Sequence, residues 1–339
     1  MRRILGVLAL ALVLLIAVAA GPAVACGGLV GENGTNQLTR TTTLAAFHDG
    51  VERYVTSFEF SGTGEEVGSI VPLPAVPTSV ERGGDWTLQR LEREVRPPVP
   101  EATNFAAASA VRDQAEVLQQ TTVDALDITI LRGGGDAVGR WAIDHGFLLT
   151  PDAPEVLDFY SQRSHIFMAA RFDAARAQEL GQRAGDGTPI MLTIPTDEPW
   201  VPLRILALGL DRTKVVDADV FLLTDDRPNV LTVDPGVQVA RSKQASSLLL
   251  DDLRSDKKMG WVPDHMWFTY VDVSAPAGQV AHDLAVSTHP DTLPSARLAG
   301  FVTHEAPDDG VPWSWVALLA GLPFAVVVSG RVLTRRRAS

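Results

Sequence analysis

Val311 to Gly330 is a run of 20 residues without a charge, VPWSWVALLAGLPFAVVVSG, followed at once by Arg331, Arg335, Arg336 and Arg337. About 20 apolar residues suffice to cross a hydrocarbon core. Nine Val, Leu and Phe side chains in the run each contribute on the order of 0.3–0.6 kcal/mol to insertion, which outweighs Pro323 and the glycines. The arginine cluster marks its own side as cytoplasmic, and Trp313 and Trp315 suit the opposite interface as aromatic anchors. The pattern predicts one transmembrane helix over 311–333 with a short basic tail over 334–339. A buried helix at the end of the core is disfavoured because the arginines have no acidic partner nearby in sequence. A cell-wall sorting signal needs LPxTG ahead of the apolar run, and the nearest match, Leu293-Pro294-Ser295-Ala296-Arg297, departs at the last two positions and lies too far upstream.

The other end is organised in the same way. Arg2 and Arg3 precede an apolar run from Ile4 to Ala20, and Ala23-Val24-Ala25 supplies the small-x-small pattern read by signal peptidase. Residues 1–25 therefore read as a signal peptide, with Ala23, Ala25 and Cys26 as the processing residues. Cleavage that leaves Cys26 as the new N-terminus is favoured. Lipidation of Cys26 remains open, although Ala23 stands where a lipoprotein signal prefers leucine, as does an uncleaved anchor. All three readings place the body, 26–308, outside the cytoplasmic membrane.

Between residues 26 and 310 lie all 41 acidic residues but only 23 of the 29 Lys and Arg, a net charge near −18. Such a surface argues against nucleic acid and against adhesion to anionic lipid. Cys26 is the only cysteine, so the body has no internal disulfide, no zinc cage of thiolates and no CxxC redox pair. Stability must come from packing and backbone hydrogen bonds, which a composition 46% hydrophobic can support. A body of this length can hold one large core or two moderate ones, with a possible break near 97–122.

Strand-like segments dominate that body. Tyr54 to Phe60 alternates so that Phe58 and Phe60 share a face, and 68–73 reads as its hairpin partner beyond a Gly62-Thr63-Gly64 turn. Asp85 is placed to cap a helix from Trp86 to about Val95, which Pro97-Pro98 ends. Residues 102–120 read as a marginal helix or a loop. Strands are predicted at 126–131, 166–172, 189–195, 203–208, 218–224, 266–274 and 283–288, with helices from Asp136 to His145 and after Pro151. Helices without regular βαβ alternation favour an α+β fold with antiparallel-rich sheets.

The segments ACGG after the leader, Asn36-Gln37, IVPLP, WAIDHGF (Trp141 to Phe147), FMAARF and VPLRI resemble the bacterial family called domain of unknown function 2330, over most of 25–290. These motifs are apolar and structural, and carry no chemistry by themselves. The resemblance implies an exported, often membrane-tethered domain and assigns it no activity. Family members often carry a second cysteine in ACGGFFC; here Gly31 stands in its place, so no disulfide or metal role for such a pair is available.

Catalytic motifs are not evident. The GGGD turn at 133–136 matches neither GxGxxG nor GxxxxGK[ST], and reads as a polar turn capped by Asp136. None of the seven histidines sits in a recognised zinc spacing, no GxSxG occurs, and Asp225-Asp226, Asp251-Asp252 and Asp308-Asp309 lack the alternation of a DxDxDG calcium loop. No cofactor and no metal is therefore expected. Two functions remain. The first is a noncatalytic envelope domain, tethered to the bilayer by its last helix, that binds a protein, peptide or glycan. The second is an extracytoplasmic hydrolase whose site is assembled from distant residues, with Asp264 and His265 as first candidates; His165, His282 and His289 read as surface or satisfied core histidines.

Overall fold

Threonine-rich and β-branched runs extend readily because their branched side chains pack on a pleated surface. The computed structural model describes residues 28–31, 37–61, 67–96, 115–147, 149–181 and 188–301. Met1–Phe301 forms one unit and Val302–Ser339 a second; the second lies outside the described residues. The strands are β1 (Gly28–Gly31), β2 (Gln37–His48), β3 (Val51–Ser61), β4 (Val67–Leu73), β5 (Ser79–Arg82), β6 (Glu116–Val123), β7 (Leu126–Arg132) and β8 (Ile166–Phe172). They continue as β9 (Ile190–Pro195), β10 (Trp200–Val201), β11 (Val215–Thr224), β12 (Asn229–Leu231), β13 (Val237–Gln244), β14 (Trp267–Pro276) and β15 (Leu284–Ser287). Among the described residues six helices punctuate them: α1 (Thr87–Val95), α2 (Gly135–Asp144), α3 (Ala153–Ser161), α4 (Ala174–Glu179), α5 (Ser247–Ser255) and α6 (Ala296–Ala299). The fold is sheet-rich α+β, as expected.

Among the described residues these strands form three sheets: seven strands in the order β13-β14-β11-β2-β3-β9-β5, five in the order β1-β4-β8-β7-β6, and three in the order β10-β15-β12. Every pairing is antiparallel except β11 with β2. Side chains alternate across a strand, and the large sheet uses both faces. Leu44, Val55, Phe221 and Phe268 point to one side, where Leu88 and Leu91 of α1 and Leu249, Leu250 and Leu253 of α5 cover them. Ala45, Tyr54, Val220, Leu222 and Val271 point to the other, into a larger core shared with β4, β7, β8, α2 and α3.

Four expectations are corrected. The end of the stretch read as marginal helix or loop, 116–120, is extended instead, because it pairs antiparallel with β7 as the first part of β6. The expected hairpin over 53–73 does not form, because β3 is flanked by β2 and β9 while β4 is flanked by β1 and β8 in another sheet. The strand segments are right but their partners differ; β3 pairs instead through the tight turn at Asp49 and Gly50, both at positive φ (51° and 71°), a geometry that hairpins favour. The side chains of Phe58 and Phe60 lie outside the described ones.

Asp85 does not cap α1. Its carboxylate pairs with Arg82 and Lys257, and the cap comes from Asp256, 170 residues on. That carboxylate accepts from the backbone N–H of Asp85 and Trp86, both at 3.0 Å, and from the Thr87 hydroxyl at 2.7 Å.

The predicted strand at 203–208 is instead a 3-10 turn, Arg204–Ala207. Its leading N–H groups are taken by side chains: those of Leu203 and Arg204 by the Asp283 carboxylate, at 2.8 and 3.0 Å, and that of Ile205 by the Tyr160 hydroxyl at 2.8 Å. Donors committed in this way cannot join a ladder.

No helix among the described residues is long and apolar enough to cross a membrane. The span 311–333 with Trp313, Trp315, Arg331, Arg335, Arg336 and Arg337 lies outside them, as do Ala23, Ala25, Cys26 and most of the suggested break at 97–122.

Candidate functional site

The five-stranded sheet places small and polar side chains in cross-strand rows. Thr122 on β6 faces Asp127 on β7, Asp127 faces Arg171 on β8, and Arg171 faces Gly68 on β4. The next row runs Gln120, Thr129, Ala169. Over these rows lies a cavity of about 560 Å³, whose remaining wall is Trp141 and His145 of α2 together with Phe147 just beyond it. Ala169 contributes only a methyl group to the floor, and Gly68 lets the Phe147 ring settle over β4, since a Cβ there would lie 1.7 Å from Cε1.

Helix α2 fixes the aromatic wall. Trp141 and His145 stand four residues apart on one face, and their rings stack at 3.8 Å between centroids with 23° between planes. His145 Nδ1 lies 2.7 Å from the Trp141 carbonyl oxygen. A carbonyl only accepts, so Nδ1 carries the hydrogen and Nε2 of the neutral ring keeps its lone pair. The indole ring of Trp141 is 3% exposed, and its Nε1–H is buried without an acceptor. Such an orphaned donor carries the desolvation cost of an unmade hydrogen bond.

Electrostatics in the wall are uneven. Asp127 receives both arms of the Arg176 guanidinium, at 2.9 and 3.3 Å, and the Thr122 hydroxyl at 3.0 Å. Burial pushes its carboxyl up, but Arg176, Thr122 and Arg171 more than offset this and hold it below the usual carboxylate range. Arg171 touches the same carboxylate only loosely, Nη2 to Oδ2 at 3.5 Å.

The residues singled out from sequence lie elsewhere. Asp264 and His265 are exposed, and Asp264 pairs with Arg254 at 2.9 Å. His165 and His289 are exposed as well. His282 is half-buried, with Nδ1 2.7 Å from Asp234 Oδ1 and its ring stacked on Phe301. Asp234 also accepts two backbone N–H groups, at 2.7 and 2.8 Å, so this pair is rigid. Among the described residues no serine or threonine hydroxyl bonds to its free nitrogen. His48, Asp49 and Asp225 form one group whose ligand atoms lie within 4.8 Å of one another. Both ring nitrogens of His48 already face carboxylates, at 2.7 and 3.4 Å.

Sequence reasoning did not single out Asp127, Thr129, Trp141, His145 or Arg171 as a site. The available signal was the i, i+4 spacing of Trp141 and His145 and the alternation of Ala169 with Arg171. The WAIDHGF and FMAARF segments, read as structural, supply Trp141, His145, Phe147, Ala169 and Arg171 to the cavity. The GGGD turn has a packing role: a Cβ on Gly135 would lie 2.7 Å from the Asp158 backbone nitrogen, so glycine lets α2 approach α3. Gly134 occupies the N-cap and Asp136 makes no cap bond.

No curated protein matches the sequence. Among solved structures, baculovirus P35 after caspase cleavage is similar at 7% identity and a TM-score of 0.33, covering 74% of this chain and 94% of that one. P35 in the caspase-8 complex is similar at 9% and 0.33, covering 74% and 91%. A further structure of baculovirus P35 is similar at 8% and 0.33, covering 76% and 93%. At that TM-score the likeness carries no argument. Residues 20–252 match the family described as an uncharacterized protein conserved in bacteria (DUF2330), and the chain belongs to that family.

Proposed function

We propose that the protein is a membrane-tethered, extracytoplasmic envelope domain that binds a peptide or glycan in the cavity between β6, β7, β8 and α2, without catalysis. The observation that carries this reading is the cavity itself: about 560 Å³, within the range of small-ligand sites, with aromatic walls and convergent polar groups. The floor is strand and the wall is helix, so the groups are held in place before a ligand arrives, which lowers the ordering cost of binding.

The tether is supported by the apolar run at 311–330 and its arginines. A reporter joined after Ser339 should be active only in the cytoplasm; activity outside would overturn the tether. For the cavity, the full chain in nonionic detergent should bind soluble muropeptides in a calorimetric titration. Ala169→Leu, which fills the floor, should weaken that binding roughly tenfold or more. Equal binding by both proteins, or none by either, would sink the cavity reading. The hydrolase alternative draws support from the Asp234–His282 pair, and turnover of the same muropeptides lost in His282→Ala would favour it.

A further inference from the structure

Asp127 and Arg171, the two oppositely charged side chains on the cavity wall, are not equally committed. The aspartate has its oxygens taken by Arg176 and Thr122. The arginine, 23% exposed, has only the 3.5 Å contact to that already satisfied carboxylate, while a guanidinium carries five N–H donors. Among the described residues no other hydrogen bond or ion pair engages its side chain. In a body that is acidic overall, the cavity wall thus presents an under-committed guanidinium.

Resting on the cavity being a ligand site, we propose that its ligand is anchored by a carboxylate gripped by the Arg171 fork, with the body of the ligand against His145 and Phe147. The planar guanidinium matches a carboxylate in a two-pronged geometry. A phosphate dianion fits less well, since the lining would offer it a single guanidinium inside a strongly negative molecule. The carboxylate can come from an acidic sugar or from the C-terminus of a peptide.

Four probes separate these sources: trigalacturonate and its methyl ester, and trialanine with a free or an amidated C-terminus. Each is titrated into the full chain in nonionic detergent, with binding followed by ligand-observed NMR. At least one acid should bind about tenfold or more tighter than its neutral form, and the acid that does so identifies the source. Arg171→Gln should erase that preference and Arg171→Lys should keep part of it; melting curves of both variants check that they fold. Because Asp127 retains Arg176, neither substitution strands a charge. Acid and neutral forms binding equally, or a preference that survives Arg171→Gln, would overturn the carboxylate anchor and leave the cavity as a site. Absence of binding by all four probes would overturn both.

Discussion

Asp283→Ala should cost the protein about 3–5 kcal/mol of stability, the penalty typical of removing one partner of a buried ion pair. Asp283 is fully buried, and its carboxylate accepts from the Tyr160 hydroxyl at 2.8 Å, Arg163 Nη2 at 2.5 Å and the backbone N–H of Leu203 and Arg204 at 2.8 and 3.0 Å. One side chain thus joins α3, the 3-10 turn and the start of β15. Alanine would leave a guanidinium that is 4% exposed without a counter-charge, and two backbone donors without acceptors. The Nε and Nη1 of Arg163 are already unpartnered, and its remaining support is aromatic: the rings of Phe159, Tyr160 and Trp200 lie 3.8, 4.9 and 5.5 Å from Cζ, and none supplies a counter-charge.

Urea unfolding of the full chain in detergent measures the loss. Asp283→Asn should fall between wild type and alanine, because the amide oxygen still accepts but carries no charge. The double variant Asp283→Leu with Arg163→Met should be less destabilised than the sum of its single changes, since the stranded charge goes too. A loss under about 1 kcal/mol for alanine would mean that the donors find other partners.

The second large effect is a pH dependence set by Glu52 on β3. This carboxyl is fully buried beside Trp200 and Val286 with neither oxygen hydrogen-bonded, and burial pushes its pKa up to about 8. The adjoining cavity, about 10 Å³, has room for about one water. The folded protein therefore holds a proton that the unfolded chain releases near pH 4.5. Between these values the unfolded state binds fewer protons, so stability falls as pH rises from about 4.5 to about 8 and levels off above. The full swing is about 5 kcal/mol. Glu52→Gln removes it: the variant should match wild type near pH 5 and exceed it by several kcal/mol near pH 8, on the same order. Subtracting the two unfolding free energies at each pH cancels the other titrating groups. Parallel curves would show that Glu52 ionises in place, with water or a partner supplying what the buried site does not.

Asp283 and Glu52 are both fully buried acids on strands or strand ends, yet their expected behaviour differs because of what faces them. Four donors converge on the first and none on the second. Nothing within a few residues of either distinguishes them. The donors to Asp283 come from about 80 to 120 residues away.

Local pattern was sufficient wherever neighbours in sequence decide the outcome. Alternation foretold β7, β8, β9, β11, β14 and β15; glycine and proline punctuation foretold α2 and α3; and the motifs disclosed the family. Helices close their own hydrogen bonds, and a strand's two faces follow from its own period, so a short window contains the physics. Strand partners, the cap of α1 by Asp256, the capture of 203–205 by Asp283 and Tyr160, and the cavity built from β6, β7, β8, α2 and the Gly68–Phe147 contact were decided by tertiary structure. Each depends on groups that only packing brings together, and an unpaired donor or a partnerless carboxyl becomes costly only once that packing has removed the water.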